Sequence, residues 1–238
     1  NGKSVLLYVL ECLCGKQNVS AVQPENLGST FQRAYLHGKL ANVVTEVAEG
    51  AVVNDAALKA ITSGDMMTAE RKFRDPFSFE PFATCWIGTN HMPHTRDFSD
   101  ALFRRAKILT FNRKFEGDDR DPLLKQKLVE ELPGILNMAL KAVAGVLTTG
   151  KFAEPSSMVD AVGAWAIEAD TVKQFVIECC ELCHEVPMKT LYGTYQAWCS
   201  EVGINKPLKQ RTFGNRLRLS GISDRKSGSV RYYVGISI

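Results

Sequence analysis

Asn1-Gly2-Lys3-Ser4 leads directly into Val5-Leu6-Leu7-Tyr8-Val9-Leu10-Glu11-Cys12-Leu13, a helix-compatible run that stops at Gly15. Gly-Lys-Ser at the start of a helix is the closing half of a Walker A motif. In that motif backbone N–H groups and the positive end of the helix dipole cradle phosphate. The Lys reaches the outer phosphates and the Ser hydroxyl ligates Mg²⁺. The upstream glycines of the full motif do not appear here, so a chance Gly-Lys-Ser stays open on this stretch alone. The decision rests on what stands downstream.

An NTPase needs an acid near the metal and attacking water, a polar sensor of the γ-phosphate and a cation for the developing charge. Leu40 to Glu46 is a compact apolar run closed by an acid, the pattern of a buried parallel strand. Glu46 stands where a Walker B acid belongs. Thr45 holds the place where many NTPases carry a first carboxylate, so Glu46 would serve both the metal-bound water and its activation, with Glu49 nearby. The plain alternative is a solvated strand-end acid. Phe82 to Thr89 is a second such strand and ends at Asn90, within Trp86-Ile87-Gly88-Thr89-Asn90-His91-Met92-Pro93. Ligands of open α/β sheets bind at the carboxyl ends of strands, which would set Lys3, Glu46 and Asn90 along one edge. Asn90 is otherwise a turn residue before Pro93. His91 and His94 lack further metal ligands at usable spacing. Arg104 and Arg105 close a short helix, Ser99–Arg105, capped by Ser99. They offer either an arginine finger or cations at the negative pole of a helix dipole. A third strand is expected over Ala106–Phe111. Strands alternating with helices, among them Pro24–His37 and Asp55–Ile61, point to an α/β sheet.

Met66–Phe79 is polar, basic and aromatic, with Pro76 inside it, and suits a hairpin or extended excursion. Its Arg71, Lys72 and Arg74 read by themselves as a solvated face. After Phe115 the pattern turns helical: Leu123–Glu131, Pro133–Thr148 and Met158–Cys183, with Pro133 in a first turn. Beyond Pro187 come a helix (Lys189–Val202), a turn at Gly203, a basic helix (Gln210–Leu219) and a hairpin about Gly228, the order of a winged helix-turn-helix. In residues 188–238, Lys189, Lys206, Lys209, Arg211, Arg216, Arg218, Arg225, Lys226 and Arg231 stand against Glu201 and Asp224, although the whole chain carries only +3. A basic terminal module on a near-neutral body fits a polyanionic partner. The second helix of such a module enters the major groove and its flanks hold phosphate. Tyr192, Tyr195, Trp198, Leu208, Phe213, Leu217 and Ile222 read as its core.

At 238 residues, 45% hydrophobic and 23% charged, the chain suits one large domain or two smaller ones. No apolar run reads as membrane-spanning and no signal peptide is seen. The seven cysteines are odd in number and irregularly placed, so reduced thiols in a cytoplasmic protein are expected. Cys180-Glu181-Leu182-Cys183-His184 has the spacing of covalent haem attachment, but it falls in a helical pattern and reads as buried helix thiols.

The order Asn1-Gly2-Lys3-Ser4, Val43-Val44-Thr45-Glu46, Leu58 to Asp65, Ala69-Glu70-Arg71-Lys72, Phe77 to Pro81, Thr89 to Pro93 and Phe103-Arg104-Arg105 with Phe111 resembles the superfamily 3 helicase domain of phage and plasmid primase–helicases. The poxvirus primase–helicase is a relative of that family. Leu123–Phe152 is similar to the helical segment that follows, and Leu191 to Cys199 through Phe213 and Tyr232-Tyr233 to the family's C-terminal winged helix. The resemblance implies an AAA+-like P-loop NTPase sheet over residues 1–115, a helical lid or linker over 116–186 and a winged-helix DNA-binding domain over 187–238. It implies an ATP- and Mg²⁺-dependent motor that assembles as a ring, usually a hexamer, and moves 3′ to 5′ on single-stranded DNA. A primase domain upstream and the cytoplasm of a bacterial host, by way of a phage or prophage, belong to the same expectation. Carried over by position, Asn1, Gly2, Lys3 and Ser4 hold the nucleotide, and Ser4 and Glu46 the Mg²⁺. Glu46 is the catalytic acid, Asn90 the first sensor, and Arg104 or Arg105 the finger offered in trans. Lys59, Arg71 and Lys72 fall in the stretch that forms a DNA-contacting hairpin in the ring's channel. Lys209, Arg211, Arg216, Arg218, Arg225, Lys226 and Arg231 would hold DNA phosphates from the terminal module, a contact that is salt-dependent and blind to base sequence.

The family's upstream glycines, and the central strand before them, do not precede Asn1. The expectation is a fragment whose sheet lacks its middle strand, with backbone groups left unpaired and nucleotide binding weak or lost. A rival reading keeps DNA binding by residues 187–238 and treats the rest as scaffold of a non-enzymatic origin-binding or regulatory module. A metabolic kinase shares Gly-Lys-Ser but gives no reason for the Arg pair or the basic terminal module.

Overall fold

The computed structural model describes residues 1–95, 100–204 and 207–238, and it divides into two units, Asn1–Trp165 and Ala166–Ile238. The expected Ser99 cap and Lys206 lie outside the described residues. In chain order the first unit holds α1 (Lys3–Cys14), β1 (Val19–Ser20), α2 (Thr30–Arg33), β2 (Ala41–Val44), α3 (Asp55–Ser63), β3 (Met67–Ala69), β4 (Phe77–Phe79), β5 (Thr84–Ile87), α4 (Asp100–Phe103), α5 (Leu124–Glu130), α6 (Leu132–Thr149) and most of α7 (Ser156–Glu168). The protein is mixed α/β with small sheets.

Strands β1, β2 and β5 form a parallel sheet in that order, with Val43 opposite Trp86 and Val44 opposite Ile87. All four residues of β2 are buried, as a strand covered on both faces requires. Leu7 of α1 packs with Ala41 and Val43, and Leu10 and Trp86 lie against them. A second cluster gathers Val22, Leu27, Leu36, Ala57 and Ile61 with Met67, Ala69 and Phe79 of the β3–β4 hairpin. Each fully buried aliphatic side chain of this kind stabilises by about 1.5–3 kcal/mol. Asn42, buried in β2, makes three side-chain hydrogen bonds: its Oδ1 accepts from Ser20 Oγ (2.9 Å) and Val22 N (2.7 Å), and its Nδ2 donates to Val22 O (2.9 Å). Helix α3 starts at Asn54, whose side chain accepts from Ala57 N, and ends at Gly64 in the left-handed region.

The structure corrects several expectations. Pro24–His37 is not one helix: the chain makes short turns that bend at Gly28, where Asn54 packs so closely that a Cβ would lie 2.2 Å from its Nδ2. Ala106–Phe111 is not a strand. Residues 106–112 line a cavity of about 420 Å³ together with Cys85, Trp86 and Ile87 of β5 and make no ladder with them. Met158–Cys183 is broken at Asp170, which caps a new helix by accepting from Val172 N and Lys173 N. Helix α6 is long and apolar enough to cross a membrane by length and composition, contrary to the reading of its sequence, and none of its residues is buried.

The second unit holds α8 (Thr171–Cys179), β6 (Glu185–Pro187), α9 (Met188–Glu201), α10 (Gln210–Leu219), β7 (Ser223–Ser227) and β8 (Val230–Val234). The strands form an antiparallel sheet in the order β6-β8-β7. Strand β6 has no counterpart in the sequence reading; Pro187 is tolerated there because it ends an edge strand. Phe175, Leu191, Tyr195, Phe213, Leu217, Tyr233 and Ile236 are the centre of the core. The rings of Tyr195 and Phe213 lie 4.5 Å apart, and Phe175 meets Tyr195 edge-on at 5.5 Å. Cys180 to His184 lies past the end of α8 rather than inside a helix, and burial pushes the Cys180 thiol up to about 11.

Candidate functional site

Gly2 adopts φ +110°, a left-handed conformation suited to glycine, and its carbonyl accepts from Val5 N (3.0 Å) and Leu6 N (3.1 Å) to start α1. The first N–H groups of that helix have no carbonyl within it and face outward. Lys3, on the first turn, sends its Nζ to Thr89 O (2.7 Å) and to Asn90 Oδ1. The start of α1 and the end of β5 are thereby joined by one ammonium group. Asn90 also lines a cleft with Gln23, Glu25, Glu46, Glu49 and His91. Glu46 is exposed, two residues beyond the last residue of β2, and its carbonyl accepts from Gln23 Nε2 (3.4 Å). Gly88 makes this closeness of strand ends possible: a Cβ there would stand 2.6 Å from Thr45 O and 2.9 Å from Leu7 Cδ1. A Gly88→Ala change is expected to push the Thr45 and Gly88 backbones apart and to lower stability by about 1–3 kcal/mol, as thermal unfolding would read.

The loop beyond Asn90 is anchored by Trp165, whose indole N–H donates to Pro93 O (3.1 Å) and whose ring meets Phe103 edge-on at 5.0 Å. Ser4 is exposed. Asn1 points elsewhere: its side chain accepts from Phe115 N (3.2 Å) and donates to Phe115 O (3.1 Å). Arg104 is exposed, whereas the Arg105 guanidinium donates to Ala101 O (2.8 Å) and Ser63 Oγ (3.0 Å). Lys59 lies on α3, half-buried and facing the cavity beside β5, not on the β3–β4 hairpin. Arg71 and Lys72 are exposed in the loop between β3 and β4, with the Arg71 guanidinium 5.0 Å from the centre of the Phe77 ring. Phe73 in the same loop escaped the sequence reading; a bulky apolar residue between cations was the available signal.

The basic residues of the second unit fall into two groups. Lys209, Arg211, Lys226 and Arg231 are exposed. Arg216 is turned inward onto Asp170 (3.1 Å), with side chains 13% and 6% exposed. Burial lowers the Arg216 pKa and the neighbouring Asp170 carboxylate opposes that shift. Arg218 is held by Asp224 (2.6 Å) and Asn215 (2.9 Å). Arg225 lies over the Tyr232 ring and forks onto both oxygens of Glu185 (2.7 and 2.5 Å), reaching across β8. The hydrogen bonds from Arg225 hold the Glu185 carboxyl below the usual carboxylate range. A depressed carboxylate stabilises above its unfolded pKa and loses that contribution as pH falls through the folded value. Glu185→Gln is therefore expected to lower this unit's melting temperature modestly at neutrality and to flatten its acid limb, the two proteins converging as pH falls through the folded value.

The N-terminal half matches a family of unknown function, DUF5906, over residues 1–105, and residues 167–220 match the poxvirus D5 protein-like family. A putative helicase, L207/L206, of Acanthamoeba polyphaga mimivirus is 30% identical over 63 residues, 26% of this chain and 7% of that protein. Two apo structures of the NrS-1 C-terminal region, at 14% identity, align with 98% of this chain and 63% of theirs, with TM-scores of 0.44 and 0.47. The chain thus spans only part of the length of the proteins it matches. The D5-like segment in the second unit and the helicase among its sequence matches support a relationship of this chain to the primase–helicases.

Proposed function

We propose that the first unit carries the ATP-hydrolysing motor of a replicative DNA helicase, an AAA+-like domain of superfamily 3, and that residues 187–238 are its winged-helix DNA-binding domain. The observation that carries this reading is the meeting of Lys3 with Asn90 at the carboxyl end of a parallel sheet, next to the cleft that Glu46 lines. Those residues fit a magnesium-bound nucleoside triphosphate: a helix start with free N–H groups, one ammonium, one hydroxyl, one carboxylate and one amide. When bound, Mg-ATP supplies the phosphoanhydride and the divalent charge. Lys3 would hold the outer phosphates in place of Thr89 O and Asn90, Ser4 and Glu46 would hold the ion and its water, and Asn90 would contact the terminal phosphate. Arg104 is the better finger for a neighbouring subunit, because Arg105 is already engaged within the unit. Ring assembly, usually hexameric, would bring that residue to the adjoining site, and the uncovered apolar face of α6 supports such assembly.

Single-stranded DNA would run over the loop bearing Arg71 and Lys72, and the second unit would hold DNA through Lys209, Arg211, Lys226 and Arg231. Binding should weaken with salt, and Lys226→Ala should reduce the slope of log affinity against log salt by about one, whereas a folded Arg216→Met should leave it unchanged. The defining experiment is ATP hydrolysis with and without single-stranded DNA, run at saturating ATP. DNA-stimulated hydrolysis is the expected result, and Arg104→Ala should depress it by roughly 10³-fold where Arg105→Ala does not. Absence of hydrolysis together with intact DNA binding would overturn the motor in favour of a non-enzymatic DNA-binding protein.

A further inference from the structure

Phe73 is fully exposed, at 103% relative exposure, and holds a backbone φ of +61°. Bulky residues rarely adopt that conformation, and backbone outliers of this kind gather at ligand-contacting sites. Its surroundings are firmly set. Strands β3 and β4 pair from Met67–Phe79 to Ala69–Phe77, with Met67, Ala69 and Phe79 buried. Glu70 N donates to Thr30 O (3.1 Å), and Arg74 N closes a turn onto Arg71 O (3.1 Å). From this base the tip presents Arg71, Lys72, Phe73 and Arg74, all exposed. An aromatic face between cations has the chemistry that single-stranded nucleic acid takes: bases stack on the ring and phosphates meet the charges.

We propose that Phe73 is a base-stacking platform for single-stranded nucleic acid, with Arg71, Lys72 and Arg74 holding the flanking phosphates. The proposal rests on the DNA-translocating reading and deepens it: this hairpin grips bases as well as backbone. An anionic membrane is the less favoured partner, because one phenyl group on a short loop inserts too little apolar surface for stable anchoring.

The test is binding of an oligo(dT) of roughly 20 nucleotides to the full chain and to Phe73→Ala, Phe73→Leu and Phe73→Trp. An abasic phosphodiester of the same length and anionic vesicles serve as the other probes. Phe73→Ala is expected to weaken oligo(dT) binding by about tenfold at unchanged salt slope and to bind the abasic strand as the parent does. Phe73→Leu should match Phe73→Ala, and Phe73→Trp should keep the affinity and show indole quenching on binding. Parent-like affinity of Phe73→Ala, recovery by Phe73→Leu, or an equal loss on the abasic strand would overturn the proposal. So would a loss confined to vesicles. If the parent chain bound no oligo(dT), the DNA reading would fall with it, a result distinct from binding that ignores Phe73.

Discussion

Lys3→Ala is expected to lower ATP turnover by roughly 100-fold or more while leaving the unfolding free energy of residues 1–165 within about 1 kcal/mol of the parent. The first part follows from the charge around the cleft. Among its described lining residues are Glu25, Glu46 and Glu49, and none is Lys or Arg. A triphosphate entering there meets carboxylates, and the ammonium that reaches Asn90 is the protein's own countercharge at that point. Truncating it removes stabilisation of charge that develops on the phosphates, where preorganised cations act most strongly. The second part follows from solvent access: Asn90 is exposed and Thr89 only half-buried, so water replaces the lost donor. Steady-state hydrolysis and thermal unfolding of the same preparation check both halves. Normal turnover in Lys3→Ala would remove Lys3 from the site.

Asp170→Ala should unfold much of the second unit. Asp170 is 4% exposed and serves twice, as the cap of α8 and as the partner of Arg216 on α10. Removing one member of a buried ion pair costs about 3–5 kcal/mol, because a buried charge loses its counter-ion. Loss of the cap adds about 1 kcal/mol. A unit as small as residues 166–238 has few kcal/mol of stability to lose. Arg216→Met should cost less, since Asp170 keeps its two backbone donors, and the double variant Asp170→Ala/Arg216→Met should recover part of the loss. Urea unfolding with amide exchange resolved in α8 and α10 measures all three. Equal stability of parent and Asp170→Ala would show that the pair contributes nothing.

Arg216 marks where reading charge along a sequence stops being informative. Arg216, Arg218 and Arg225 counted as cations of a DNA-binding surface, yet each is met by a carboxylate, and the partners Asp170 and Glu185 stand far upstream. A count of charges has no access to such pairings. Elements with local signals were legible. Helix α1 runs to Gly15, Asn54 caps α3, the β3–β4 hairpin brackets Pro76, and α10 spans Gln210–Leu219. Strand β2 was readable because burial on both faces leaves an unbroken apolar run; β5, only partly buried, was readable from its apolar Cys85-Trp86-Ile87. Ala106–Phe111 is similarly apolar but pairs with no strand among the described residues, and strand formation depends on such pairing. Strand β6 has only three residues and exists through its pairing with β8, far along the chain. The break in Met158–Cys183 did carry a signal, an Asp before Thr171, that a long apolar periodicity obscured. Of the site, the residue types at strand ends were legible; the Lys3–Asn90 contact and the engagement of Arg105 required coordinates.

The most direct test of the central claim is an amide-resolved NMR titration of the chain with Mg-ATP. The backbone signals of Lys3, Ser4 and Glu46 and the side-chain amide of Asn90 should shift together along one saturation curve. Saturable binding that leaves Glu46 and Asn90 unmoved, or shifts confined to the second unit, would contradict a shared nucleotide site.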